Sequence, residues 1–285
     1  MNTKLNIIFI GGLTNGKIVY DYLLKNKYVN LILSITFPNN YSGARHVIFE
    51  DNQFLIKSGT LNGYEEQIRE LKPDMIIVSG WSELISEDLL KLPPYGVIGF
   101  HPSKLPFDRG RSVIAWQIEE GYKETALTMF KYSNYPDGGD ILAQERICIE
   151  ENDYVNDVLD KVDFATKNLM YAYFPLLRQG LLQSRSQNLS EGSFRRLRND
   201  EDSKIDWDKN SKIIFNKIRA ISYPYPGATA VIEGRKMIIW RAKIIENFFM
   251  NCAVDPGTLV ASCFDGSYIV KTKDSFIRII EYKWL

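Results

Sequence analysis

The feature that most constrains this chain is the rhythm of its first hundred residues, where short apolar, β-branched runs alternate with helical stretches. Residues 5–10 (LNIIFI), 31–37 (LILSITF), 75–78 (MIIV) and 97–100 (VIGF) read as strands. Residues 17–25, 64–71 and 87–90 read as helices between them, punctuated at Pro38-Asn39-Asn40, Lys72-Pro73-Asp74 and Pro93-Pro94. Near-continuous apolar strands separated by helices imply an α/β fold with a mostly parallel sheet covered on both faces.

From Leu127 the pattern changes. Residues 127–132 and 141–149 read as strands joined by a Pro-Asp-Gly-Gly-Asp turn, and 154–179 as one long helix. Residues 183–203 are polar and charged, a linker by composition. After a helix over 211–221, short strands at 228–232, 237–244, 258–261, 268–272 and 276–282 suggest a small C-terminal β-barrel of OB type. The expected organisation is a catalytic domain over 1–182, a linker over 183–203 and an OB-like domain over 204–285.

Charge and cysteine content then narrow the function classes. Thirty-five Lys and Arg balance 35 Asp and Glu, which argues against a dedicated nucleic-acid binder. Three scattered cysteines, Cys148, Cys252 and Cys263, give neither a disulfide framework nor a zinc cluster, and fit structural thiols in a reducing compartment. No apolar run approaches the ~20 residues that span a bilayer. Met1-Asn2-Thr3-Lys4 leads straight into strand-like sequence, so no signal peptide and a cytoplasmic location are expected.

Three motifs could carry chemistry. Gly11-Gly12-Leu13-Thr14-Asn15-Gly16 departs from the dinucleotide fingerprint because its first two glycines are adjacent, and reads as a strand-to-helix turn. The strand at 97–100 empties into His101-Pro102-Ser103-Lys104-Leu105-Pro106, followed by Phe107-Asp108-Arg109-Gly110-Arg111. In open α/β sheets ligands bind beyond the carboxyl ends of strands, which is where His101 stands. The only other histidine, His46, lies in a polar loop and reads as solvated. Asp137-Gly138-Gly139-Asp140 has the composition of a turn, and set beside His101 an acid there could orient the imidazole.

These residues resemble a family, the formyltransferases that use N10-formyltetrahydrofolate. The resemblance runs through His101-Pro-Ser-Lys-Leu-Pro, Arg109-Gly110, Trp116, Gly121, Glu124-Thr125 and Asp137-Gly-Gly-Asp-Ile-Leu-Ala-Gln144. It continues through Ile205-Asp206-Trp207, Ile218-Arg219-Ala220, Pro224-Tyr225-Pro226-Gly227-Ala228 and Trp240. It implies a Rossmann-like formyltransferase core with an OB-like C-terminal domain. It also implies N10-formyltetrahydrofolate as formyl donor, no metal, and His101 and Asp137 as the catalytic pair. The loop Ser79, Gly80, Trp81, Ser82, Glu83, Leu84 and Ile85, with Asp137 and Asp140, is expected to bind the folate. Arg109, Gly110 and Arg111 are expected at the substrate. The family carries an asparagine two residues before the histidine; here that position is Gly99, which faces the same side of the strand as His101. Ser133 and Asn134 are the nearest polar candidates to replace it.

The acceptor is read from charge. A tRNA substrate calls for basic surface, whereas the net charge is zero and residues 38–45 hold a single basic residue. The expected acceptor is therefore a nucleotide-linked amino sugar of lipopolysaccharide or O-antigen synthesis. No nucleic-acid partner and no membrane insertion are expected, and a homodimer stays open. The alternatives are a methionyl-tRNA formyltransferase, or a folate-binding homologue with catalysis reduced by Gly99.

Overall fold

The computed structural model describes residues 4–50, 53–245 and 254–285. In chain order the first half builds β1 (Leu5–Gly11), α1 (Leu13–Lys25), β2 (Val29–Thr36), β3 (Leu55–Lys57), α2 (Glu65–Glu70), β4 (Met75–Ser79), α3 (Glu87–Lys91) and β5 (Val97–His101). Then follow β6 (Arg109–Gly110), α4 (Val113–Glu119), β7 (Glu124–Lys131), β8 (Ile141–Cys148), α5 (Val155–Arg178) and β9 (Phe194–Arg195). The last part is α6 (Ser211–Ala220), β10 (Ala228–Ile232), β11 (Arg235–Ile245), β12 (Leu259–Ser262), β13 (Tyr268–Lys271) and β14 (Phe276–Trp284).

Seven strands form the central sheet in the order β3-β2-β1-β4-β5-β7-β8. The strands from β1 to β5 pair in parallel, while β7 runs antiparallel to β5, so the sheet is mostly parallel and Rossmann-like. Ile7, Ile8, Phe9 and Ile10 are all fully buried, as are Met75, Ile76 and Ile77. Alternate side chains on a strand point to opposite faces, so consecutive buried residues mean that both faces are covered. The strand order reverses at β1 and β4, which opens a crevice at their carboxyl ends. At that edge a Cβ on Gly11 would stand 1.9 Å from the Ser79 carbonyl oxygen, so only glycine lets the two strand ends approach. The Gly11-Gly12 motif is thus a packing turn from β1 into α1.

Strands β10 to β14 form a separate antiparallel sheet, in the order β10-β11-β14-β13-β12. Among the described residues the chain packs as two compact units, which interleave along the sequence. The first comprises Met1–Gly110, Thr125–Ile147 and Asp160–Arg195, and the second Arg111–Glu124, Cys148–Leu159 and Arg196–Leu285. Within the second unit the fully buried Arg219 donates from Nη1 to the Asp153 carbonyl (2.8 Å) and from Nε to Asn216 Oδ1 (3.0 Å). Cys148 and Cys263 are free thiols, and Cys252 lies outside the described residues. No helix among the described residues is long and apolar enough to cross a membrane.

Candidate active site

His101 ends β5 and is 6% exposed. Its Nε2 donates to the backbone carbonyl of Asp108 at 2.8 Å, because a carbonyl can only accept. Nδ1 faces the Asp137 carboxylate, with 3.5 Å to Oδ1. Both ring nitrogens therefore face oxygen acceptors, and only a ring carrying a proton on each can donate to both. The Nδ1 contact, at 3.5 Å, is longer than a formed hydrogen bond.

Asp137 is held from several sides. Its Oδ2 accepts the Gly110 N–H (2.8 Å) and its carbonyl accepts Gln187 Nε2 (2.9 Å). Its φ of +53° lies in the left-handed region, as does the +53° of Asp108, a conformation aspartate tolerates better than most side chains. Strain of this kind concentrates where the surroundings over-determine the backbone. The turn is longer than a tight hairpin: residues 132–140 leave β7 and return to β8, closed by Lys131 N–H donating to the Asp140 carbonyl (2.9 Å).

The polar segment after α5 lies against this loop. Ser184 and Ser186 donate to the two carboxylate oxygens of Asp140 at 3.1 and 3.0 Å. Gln187 Nε2 also donates to the Gly139 carbonyl (2.5 Å), and Arg195 Nε donates to the buried carboxylate of Asp108 (2.7 Å). Strand β9 pairs in parallel with β6, matching Arg109 with Phe194 and Gly110 with Arg195. A composition that reads as a linker is thus bonded across the His101–Asp137 loops over much of its length. Asp108, Gln187 and Arg195 lie against the His101–Asp137 pair; Asp108 is only 7 residues from His101, but the partners of Gln187 and Arg195 lie 48–87 residues away, beyond the reach of a reading of the sequence.

The remaining expected residues fall as follows. Ser79 ends β4, beside β5 in the sheet, so the loop 79–85 starts at the same edge as His101. Gly80 has φ +64°, Ser82, Glu83 and Leu84 are exposed, and Ile85 belongs to the core. Trp81 stacks on Phe37 at 4.7 Å, and Phe37 stacks on Tyr41 at 4.1 Å. Arg109 is buried and donates from Nη2 to the Leu189 carbonyl at 3.1 Å, while Arg111 is exposed in the second unit. His46, expected to be solvated, is half-buried, its ring edge-on to Tyr41 at 5.6 Å. Ser133 and Asn134 do not replace the missing asparagine. Ser133 Oγ donates to the Tyr135 carbonyl (3.0 Å), and the Asn134 side chain bonds to Glu87. The described residues hold no group of three or more His, Cys, Asp or Glu placed to bind a metal.

A buried imidazole beside a partly buried carboxylate thus stands at the carboxyl edge of a doubly wound α/β sheet, the edge where such sheets place their ligands. Residues 5–173 match the formyl transferase family, and residues 198–284 match the formyl transferase C-terminal domain. The chain belongs to the formyl transferase family and is a transferase enzyme. A methionyl-tRNA formyltransferase of Bacillus thuringiensis (strain Al Hakam) is 31% identical over 216 residues, covering 76% of this chain and 68% of the relative. Two solved structures share the fold. The N-formyltransferase from Helicobacter canadensis, in complex with folinic acid and dTDP-3-aminofucose, superposes with a TM-score of 0.73 at 17% identity, covering 98% of this chain and 100% of that one. HypX from Aquifex aeolicus, in complex with tetrahydrofolic acid, also gives 0.73 at 17% identity, but this chain (99% covered) spans only 44% of its length.

Proposed function

We propose that this chain moves a formyl group from N10-formyltetrahydrofolate to the amine of a nucleotide-linked amino sugar, at the His101–Asp137 pair. The observation that carries the reading is the pair itself, with Nδ1 of a fixed, buried imidazole facing a carboxylate at the carboxyl end of β5. The carboxyl end of β4 suits a polar-edged heterocycle. Ser79 Oγ and Trp81 Nε1 are buried there without a hydrogen bond to a described residue, and buried polar atoms demand partners. The folate, when bound, supplies an activated formyl group.

The protein's own residues then divide the work. The Asp108 carbonyl anchors Nε2 and so sets the plane of the ring. The protonated ring, through Nδ1, opposes negative charge developing on the acyl oxygen. Asp137 balances the imidazolium charge, accepts the proton that the attacking amine sheds and returns it to the folate nitrogen as the bond to the formyl carbon breaks and tetrahydrofolate leaves. Its own position depends on the Gly110 N–H. Ser184 and Ser186 occupy the Asp140 carboxylate, so Asp140 acts by fixing the loop.

The sugar reading rests on balanced charge: 35 basic against 35 acidic residues offer little to a polyanion. The complex of the Helicobacter canadensis neighbour with dTDP-3-aminofucose points the same way. A methionyl-tRNA acceptor is the second reading, favoured by the 31% identity to the Bacillus enzyme. A cytoplasmic location is part of this proposal and rests on the three scattered cysteines, which fit a reducing compartment. The test is to incubate the protein with N10-formyltetrahydrofolate and either a panel of nucleotide-linked amino sugars or initiator methionyl-tRNA, and follow tetrahydrofolate release. Release with at least one sugar and not with the tRNA supports the proposal; faster release with the tRNA than with every sugar overturns it.

A further inference from the structure

We infer that the phenol of Tyr132 is the second hydrogen-bond donor at the transfer site, occupying the place of the side chain that Gly99 lacks. The inference rests on the formyl-transfer reading and adds a residue to it.

The argument starts from space. A Cβ built on Gly99 would stand 1.9 Å from Cε1 of Tyr132, 2.7 Å from Cζ and 2.8 Å from Cδ1. The tyrosine ring therefore fills the volume where a side chain at 99 would begin. Its backbone explains the reach: Tyr132 N–H donates to the Val97 carbonyl at 2.8 Å, continuing the β5–β7 ladder in which Gly99 opposes Phe130 and His101 opposes Thr128. Opposed residues of an antiparallel pair share a face, so Tyr132, Gly99 and His101 lie on one side of the sheet. From the level of Val97 the ring leans along β5 over Gly99, two residues before His101 on the same face, and its phenol lies near enough to Asp137 to feel that carboxylate's charge. Phe130 stacks behind it at 5.1 Å and holds the ring in that direction.

Chemistry narrows the role. The Thr128 hydroxyl, opposite His101, already donates to the Ser103 carbonyl (2.6 Å) and accepts Gln144 Nε2 (2.9 Å). Among the described residues the Tyr132 hydroxyl makes no such bond. Burial, and then the nearby Asp137 charge, push this phenol above its ordinary range, so it keeps its proton and remains a donor. A group that only filled the gap would need the ring and not the hydroxyl.

The test separates ring from hydroxyl. Tyr132→Phe keeps the packing and removes the donor, so kcat for tetrahydrofolate release should fall ~10²-fold with KM for the folate unchanged, the loss expected for one oxyanion donor. Tyr132→Ala opens the space, and adding Gly99→Asn to it supplies an amide, which should raise kcat about tenfold over Tyr132→Ala alone. A Tyr132→Phe enzyme within about threefold of wild type overturns the role of the phenol, as does a double variant no faster than Tyr132→Ala. Wild-type protein that releases no tetrahydrofolate with any acceptor overturns the formyl-transfer reading, and this role with it.

Discussion

The Nε2 of His101 is hydrogen-bonded to the backbone carbonyl of Asp108, 2.8 Å away, and the carboxylate of that same residue is bonded to Arg195. The plane of the imidazole is therefore tied to residues 193–195, remote in sequence, through an aspartate that is 2% exposed. In the proposed mechanism Arg195 is a positioning residue whose effect passes through Asp108.

Arg195→Ala removes the charge partner of a buried carboxylate. It should destabilise the protein by about 3 kcal/mol, at the low end for a broken buried pair because the arginine is partly exposed. Small misplacements of a catalytic group are costly, so kcat should fall by ~10-fold or more. Urea unfolding and steady-state rates check both effects, and an enzyme unchanged in both contradicts the link between this segment and His101.

Gly99→Asn restores an amide where the family carries one, yet the structure predicts a loss. The new side chain meets the Tyr132 ring, which Phe130 backs, so the ring must move and the packing suffers. We expect a destabilisation of ~1–3 kcal/mol and a lower rate. A gain in kcat over wild type would show a site merely degraded at position 99.

Much of the fold was legible because it is local. The buried runs at 7–10 and 75–77, the HPSKLP turn after β5 and the Pro-Asp-Gly-Gly-Asp motif all announce themselves within a few residues. What stayed hidden depends on partners far along the chain. Asp108 carries no role in the sequence until Arg195 reaches it, and segment 183–203 reads as a linker by composition until the hydrogen bonds of its residues 184–195 to Asp108, Asp137, Gly139 and Asp140 are seen. Helix α4 was missed as well. It opens after Ser112 at φ +55° without a side-chain cap, and its first residues, Val113 and Ile114, are β-branched and weak helix formers. Tyr132 could not be linked to Gly99 at all without the register of β5 and β7.

Alkaline pH gives an independent check on Tyr132. Burial raises its folded-state pKa above 10, and that of Tyr154 likewise. Below pH 10 both folded and unfolded chains hold the phenolic protons; above it the unfolded chain releases them first. The folded state then binds more protons, and stability falls by up to ~1.4 kcal/mol per pH unit for each such group. Denaturation midpoints between about pH 10 and 11 should decline less steeply in Tyr132→Phe than in wild type. Identical slopes would contradict a buried phenol at this position.

Arg219 holds the second unit together from inside. Replacing it with Met takes one donor from the partly buried Asp153 carbonyl and one from the buried Asn216 amide oxygen, at a cost of about 1–3 kcal/mol. Lysine should not restore this, because one ammonium cannot reproduce the planar fork. A thermal midpoint unchanged in Arg219→Met would contradict this structural role.

The central claim is that formyl transfer runs through the fixed imidazole of His101 facing Asp137. It is tested most directly by kcat for tetrahydrofolate release in His101→Ala, on protein whose circular dichroism and thermal midpoint match wild type. The account predicts a fall of ~10²–10⁴-fold, the range for removing a positioned proton-transfer group, whereas a rate within about threefold of wild type would contradict it.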